Sequence, residues 1–287
     1  MHYNYDTTKL LTVNKNSDYL IATLYLSAQK NIMNAPYYGI QYDKSSIDIS
    51  KVNLCKKATN GCATSCLYHQ GILKNSDFAK NKIKIARIKR TFKFLLQRDD
   101  FFAQLIKEIK MLHKKATKDG LVLSIQLNGT SDILWEKESF TFKEEAFENL
   151  MSYFKEIQFF DYTKYDILKN RKKIPSNYHL TYSRAGLHKG VLVDSWEFIQ
   201  NLLENEIDVS VIFNKKMKTS ILEHSNFLGY KIIDADLNHC RVADIHHREN
   251  HKGLILVQEA AKKTDFNNSG FIIQSQEEFN KYFSTQH

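Results

Sequence analysis

Proline and cysteine are scarce here: 287 residues contain two prolines and four cysteines. With only ten glycines as well, a collagen-like or low-complexity chain is excluded and long disordered linkers are not expected. No apolar run approaches the roughly 18 residues of a membrane span. The opening residues, Met1-His2-Tyr3-Asn4-Tyr5-Asp6, contain no apolar leader core. A cytoplasmic location with no membrane partner is therefore expected, and there thiols stay reduced and serve metal or redox chemistry. Neither a glycine-rich dinucleotide fingerprint nor a phosphate-loop sequence occurs, which argues against Rossmann and P-loop folds.

What is present is a packable and basic chain. It is 43% hydrophobic and 12% aromatic, with a net charge of +9. The length suits one large domain or two small ones. The charge points to an anionic partner such as nucleic acid, phosphate or a charged cofactor. Part of it falls on helices, where a solvated lysine face accounts for it equally well.

Three of the four cysteines lie close together. Six residues separate Cys55 from Cys62 and three separate Cys62 from Cys66, with Gly61 as a bend and His69 three positions on. Thiolates are soft ligands that select zinc, copper(I) or iron–sulfur clusters. Cys55, Cys62, Cys66 and His69 could close a tetrahedral zinc site. Alternatively, the three cysteines alone could hold a [4Fe-4S] cluster with one iron open. Radical S-adenosylmethionine enzymes use such an open iron to bind the cofactor's amino and carboxylate groups. Their usual spacing is three residues then two, which differs from the spacing here. His69 is expected not to be a ligand, because a closed zinc site leaves no position for a cofactor. Cys240 reads as an ordinary thiol.

Along the chain, residues 19–26 read as a strand and 31–50 as irregular, with Pro36 and Gly39 as breakers. Residues 81–97 predict a helix with Ile83, Ile85, Ala86, Ile88, Phe92, Leu95 and Leu96 on its apolar stripe. A second helix is expected from about Asp99, its cap, to Lys118. Strands then alternate with helices: strands at 121–127, 157–162, 178–182, 208–213, 230–234 and 253–257, and helices at 143–156, at 194–204 capped by Asp194, and at 276–283. That alternation implies parallel βαβ units, and the best match is α/β, a TIM-like full or partial (β/α) barrel with a Cys-rich N-terminal loop. The expected division is an extension over 1–52, the α/β domain over 53–260 and a tail over 261–287. Polar clusters recur just past the strand ends, at 128–132, 162–164, 183–184 and 234–241, which is where barrels build their sites. By position, Asn128, Thr130, Ser131 and Asp132 are candidates for binding a cofactor's amino or ribose groups. Lys164 and Arg184 are candidates for its carboxylate or an anionic substrate. Asp132, Lys164 and Arg184 form the expected catalytic set, facing one cavity.

Several segments together resemble a phage- and prophage-borne family, the gene product eighty-eight group. They are Asn53-Leu54-Cys55 through Cys62, Cys66 and Leu67; Ala86-Arg87-Ile88 with Arg90-Thr91; residues 127–133; and Phe160-Asp161-Tyr162-Thr163-Lys164. Residues 177–184, Asp234-Ala235-Asp236 and Arg241 also fit. The resemblance spans roughly residues 20–260 and implies a phage, prophage or plasmid origin. The group in turn resembles divergent radical S-adenosylmethionine barrels. That implies an iron–sulfur enzyme with Cys55, Cys62 and Cys66 as ligands and S-adenosylmethionine as cofactor. The competing expectation is a zinc-containing nucleic-acid-binding protein of phage or plasmid replication or host takeover. A degenerate barrel serving as a protein-binding scaffold is a third.

Overall fold

The computed structural model describes residues 3–66, 77–171, 173–260 and 269–283, with side chains in the first long helix from Lys82 onward. In chain order the strands and helices are β1 (Leu11–Lys15), β2 (Tyr19–Leu24), α1 (Asn60–Thr64), α2 (Asp77–Leu96), α3 (Arg98–Lys118), β3 (Val122–Gln126), β4 (Phe140–Phe142), β5 (Glu145–Phe147), α4 (Leu150–Tyr153) and β6 (Gln158–Thr163). There follow α5 (Ile167–Asn170), β7 (Tyr178–Ser183), β8 (Leu187–His188), β9 (Val191–Leu192), α6 (Trp196–Glu204), β10 (Val209–Phe213), α7 (Lys215–Leu222), β11 (Asn226–Phe227), β12 (Tyr230–Asp234), β13 (Ile255–Glu259), β14 (Ile272–Ile273) and α8 (Gln276–Tyr282).

The protein is mixed α/β with a largely parallel sheet. Among the described residues, ten strands pair in the order β1-β2-β3-β6-β7-β10-β13-β12-β11, with β14 on β10. The β1–β2 and β11–β12 pairs are antiparallel. The pairs β2–β3, β3–β6, β7–β10, β10–β13, β10–β14 and β12–β13 are parallel. The chain divides into two compact units: residues 1–56, 68–161 and 173–179, and residues 57–67, 162–172 and 180–287. β6 and β7 each begin in the first unit and end in the second.

In the first unit, β2 is a near-continuous apolar run with Leu20, Ile21, Ala22 and Leu24 buried, the pattern of a parallel strand covered on both faces. It pairs β3 in parallel within the sheet. Asn16 makes the β1–β2 turn by accepting from Asp18 N at 3.1 Å and Tyr19 N at 2.7 Å. In α3, Phe102, Leu105, Ile106 and Ile109 are buried at helical spacing. Gln97 precedes the helix without a side-chain cap, and Asp99 lies inside its first turn. The α2 stripe is less simple than its pattern. Ile88 and Phe92 are buried, but so are Arg87 and Lys93, with Lys93 Nζ held by Asp6 at 2.8 Å and Gln104 at 2.9 Å. Tyr5 and Tyr42 stack on Phe92 at 5.0 and 5.2 Å.

The helix expected over 143–156 is replaced by a hairpin, β4–β5, and a single helical turn, α4. Lys143 and Glu144 take φ of 51° and 69°, which is the left-handed pair of a two-residue hairpin turn. Phe140 then stacks on Phe147 at 5.4 Å, and Tyr153 meets Phe147 edge-on at 4.7 Å. Helical and alternating spacings both fit these few aromatics, and packing decides between them. Asn149 caps α4 with a reciprocal Ser152 box.

In the second unit, α6 buries Trp196, Ile199, Leu202 and Leu203 as its pattern predicts. Its cap is Ser195, not Asp194; Asp194 is a buried carboxylate with another task. Trp196 packs on Phe227 at 5.5 Å and on Phe283 at 5.6 Å. The C-terminal β14 and α8 thus contribute to sheet and core.

Candidate functional site

In the first unit, the loop after β3 is built around Asn128. Its side-chain oxygen accepts from Ser131 Oγ at 2.8 Å, Ile133 N at 2.9 Å and Trp135 Nε1 at 3.0 Å, and its amide donates to Ile133 O at 2.9 Å. Asn128 N donates to buried Asp161 at 2.6 Å, and Tyr178 OH donates to the other Asp161 oxygen at 2.7 Å. Thr130 Oγ1 donates to Leu26 O at 2.6 Å. A Cβ on Gly129 would sit 2.6 Å from the Thr23 methyl and 2.8 Å from Leu24 O, so only glycine lets this loop lie against β2. Asn128, Thr130 and Ser131 are buried, the first and last bonded within the loop and Thr130 tying it to Leu26. These bonds hold the loop's shape. Half-buried Asp132 donates its N–H to Leu54 O at 2.8 Å.

Cys55 lies beside this loop. Its thiol accepts from Gln29 N at 3.5 Å and donates to Thr130 O at 3.6 Å. The segment that carries it leaves the carboxyl end of β2, and Thr130 follows the carboxyl end of β3.

In the second unit, Cys62 lies in the short α1. Thr59 caps α1 by accepting from Cys62 N at 3.4 Å and donates its hydroxyl to Ala185 O at 2.7 Å. A Cβ on Gly61 would run into Ser269 and Phe271. Cys62 and Cys66 are half-buried thiols, whereas Cys240 is fully buried. Among the described residues, no three His, Cys, Asp or Glu side chains gather where they could hold a metal ion. His69 lies outside the described residues.

Lys164 follows β6 and gives three bonds of 3.0 Å, to Ser183 O, Ser183 Oγ and Arg184 O. Its ammonium also sits 4.7 Å from the Phe271 ring centre. Arg184 follows β7 and is fully buried. Its guanidinium bonds Gly270 O, approaches Asp194 to 3.9 Å and lies over Tyr282 and Phe283 at 4.8 and 5.4 Å. Asp194 accepts from Ala185 N, from Gly186 N at 3.2 Å and from Tyr182 OH at 3.3 Å. Burial pushes the Asp194 carboxyl up and the Arg184 guanidinium down, yet a guanidinium starts so far above neutrality that it stays charged. Arg184 therefore joins the loop after β7 to Gly270 and Asp194 as a buried cation. Lys164 and Arg184 are brought together within this unit; Asp132 belongs to the other.

Sequence reasoning missed the buried acids. Asp208 accepts Arg248 through both oxygens, at 3.1 and 3.0 Å, and Leu254 N at 2.9 Å. Asp244 lies 3.1 Å from Arg241. Burial pushes Asp244 from 3.8 up to about 7, against the pull of Arg241 and Arg248 and helped by the nearby Asp208 charge. Between about pH 4 and pH 7 the folded chain keeps a proton here that the unfolded chain has released. Stability should therefore fall as pH rises through that window, by up to about 1.4 kcal/mol per pH unit from this group. Asp244→Asn should remove this slope, so the variant gains relative to wild type from pH 5 to about pH 8. Urea unfolding of both proteins across the window checks this; parallel curves would place the proton elsewhere.

No helix among the described residues is long and apolar enough to cross a membrane. Searches of curated proteins and of solved structures find no significant match. The Gene product 88 family profile matches residues 9–273, nearly the whole chain and including every strand from β1 to β14, and the protein belongs to that phage-derived family.

Proposed function

We propose that this family member is an iron–sulfur enzyme of the radical S-adenosylmethionine type on a partial βα barrel, with Cys55, Cys62 and Cys66 as cluster ligands. One observation carries the reading. The first cysteine lies on the long segment that follows the parallel strand β2, and its thiol touches the loop after the neighbouring strand β3. The carboxyl ends of parallel strands are where α/β proteins build their sites. Half-buried thiols suit ligation better than the enclosed Cys240. With Asn128, Thr130 and Ser131 spent on their loop, cofactor contacts there fall to Asp132 and the backbone.

A second reading, a zinc protein that binds nucleic acid, draws on the net charge of +9. Anaerobic purification followed by iron, zinc and acid-labile sulfide analysis separates the two. Iron with sulfide is expected, lost in Cys55→Ala, Cys62→Ala or Cys66→Ala and kept in His69→Ala. One zinc without sulfide, lost equally in His69→Ala, would replace the first reading by the second, and nucleic-acid binding should then fall steeply with salt. Metal-free protein after reconstitution would end both.

A further inference from the structure

The outward face of α3 carries charge of one sign. Lys107, Lys110, Lys114, Lys115 and Lys118 are all exposed. Lys107, Met111, Lys114 and Lys118 recur at i, i+4, i+7 and i+11, so they form one stripe, with Lys110 on one side of it and Lys115 on the other. The stripe runs for three turns, about 16 Å. The opposite stripe, Phe102, Leu105, Ile106 and Ile109, is buried in the core.

No acid is interleaved. Asp99 and Asp100 stand in the first turn, where the helix dipole favours them. Glu108 is buried and spent on Leu10 N, Leu11 N and Gln104. Asp119, just past the last lysine, pairs with Lys15 at 3.6 Å. Among the described residues, no carboxylate pairs with Lys107, Lys114, Lys115 or Lys118. Lys110 rests on an aromatic ledge: its ammonium donates to Tyr153 OH at 2.6 Å and lies 5.0 Å from the Tyr153 ring centre and 5.7 Å from that of Phe142. Like charges three or four residues apart repel and weaken a helix. Lys107 with Lys110, Lys110 with Lys114, Lys114 with Lys118 and Lys115 with Lys118 all have that spacing. The dipole at the C-terminus accounts for Lys115 and Lys118, not for the others. A face kept only for solubility mixes both signs.

We propose that this face of α3 binds the phosphate backbone of a nucleic acid. A membrane surface needs the apolar face of the helix in the lipid, and here that face is in the core. The centre of a protein interface is depleted of lysine and enriched in aromatic residues, and Met111 is the one apolar residue on the stripe. A phosphate backbone needs only cations spaced along it, and binding releases its condensed counterions. The proposal shares the polyanion of the second reading but not its zinc, and α3 contains none of the cysteines.

The test is fluorescence anisotropy of the full chain with a labelled DNA duplex and a labelled single-stranded RNA, at salt from about 50 to about 200 mM. Contacts from all these lysines predict a slope of log K against log salt of about −4 to −5 for the duplex. Lys107→Gln, Lys114→Gln and Lys118→Gln combined should flatten it by about 3 and, at about 0.1 M salt, weaken binding about a hundredfold or more. That variant should melt close to wild type, because none of the three makes an ion pair. Removing equal charge elsewhere, with Lys189→Gln, Lys215→Gln and Lys216→Gln combined, should change the slope little. The polymer bound more tightly identifies the partner. Equal loss in the two triple variants, an unchanged slope in the α3 variant, or binding to phosphatidylserine vesicles with none to either polymer overturns the proposal. Metal and sulfide analysis of the same preparations reads the cysteines separately, so a failed titration of protein that holds its metal ends this proposal alone.

Discussion

Asp194→Ala should lower stability by about 3–5 kcal/mol, the usual result of leaving a buried cation without its counter-charge. Arg184 and Asp194 are both fully buried, and the carboxylate also accepts two backbone N–H groups and a phenol. Alanine strands all of them at once. Ala185 and Gly186 have no water to turn to, and Arg184 keeps only Gly270 O and the two aromatic faces. Asp194→Asn should lose less, because an amide oxygen can still accept from one N–H. Chemical denaturation of the three proteins measures this. A loss below about 1 kcal/mol in the alanine variant, the range of an exposed ion pair, would mean that Arg184 finds another partner.

Glu108→Ala should be nearly as severe in the first unit, at about 3–4 kcal/mol. The Glu108 carboxylate accepts from Leu10 N at 2.9 and 3.0 Å, Leu11 N at 3.0 Å and Gln104 at 2.9 Å. It is a buried charge in α3 whose task is to receive the chain as it enters β1. Each bond to a charged group contributes about 1.5–3 kcal/mol, and each abandoned buried N–H costs about 1–3 kcal/mol. Hydrogen exchange should show the change first at β1, with faster exchange from Leu11 to Lys15. Unchanged protection there, with a lowered global stability, would assign Glu108 to the helix alone.

The parallel strands were readable in the sequence because buried parallel strands are apolar runs with little else to imitate them. β3, β6, β7, β10 and β12 start and stop within a residue or two of their patterns. The hairpin at residues 140–147 was not readable. Its turn uses Lys143 and Glu144 at positive φ, and neither residue advertises a left-handed turn as glycine or asparagine would. Buried charge was hidden in the same way. Lys93 falls at a helical position where a lysine is ordinarily solvated, and only Asp6 and Gln104, distant in sequence, make its burial possible. Among the candidate site residues, the sequence located the loops after the strands but not how their side chains are spent. Asn128 and Arg184 look like ligand groups by type and position. Their partners inside the fold, Ile133 and Trp135 for the Asn128 side chain and Asp194 and Gly270 for Arg184, lie at sequence positions that no motif marks.

The alternation of the chain between its two units bears on how the protein is made. Six successive segments belong by turns to one unit and the other. The first unit takes its last piece from residues 173–179. Within that piece Asn177 donates to Met151 O, Phe154 O and Ile157 O, and Tyr178 reaches Asp161. A ribosome must therefore deliver well over half of the polypeptide before the N-terminal unit can close. Until then β6 has no neighbour on one side, and an unpaired strand edge is where misassembly starts. The usual order, in which an N-terminal module folds while the rest is still being synthesised, is not open to this chain. Truncation before Asn177 should leave an aggregating fragment rather than a small folded one.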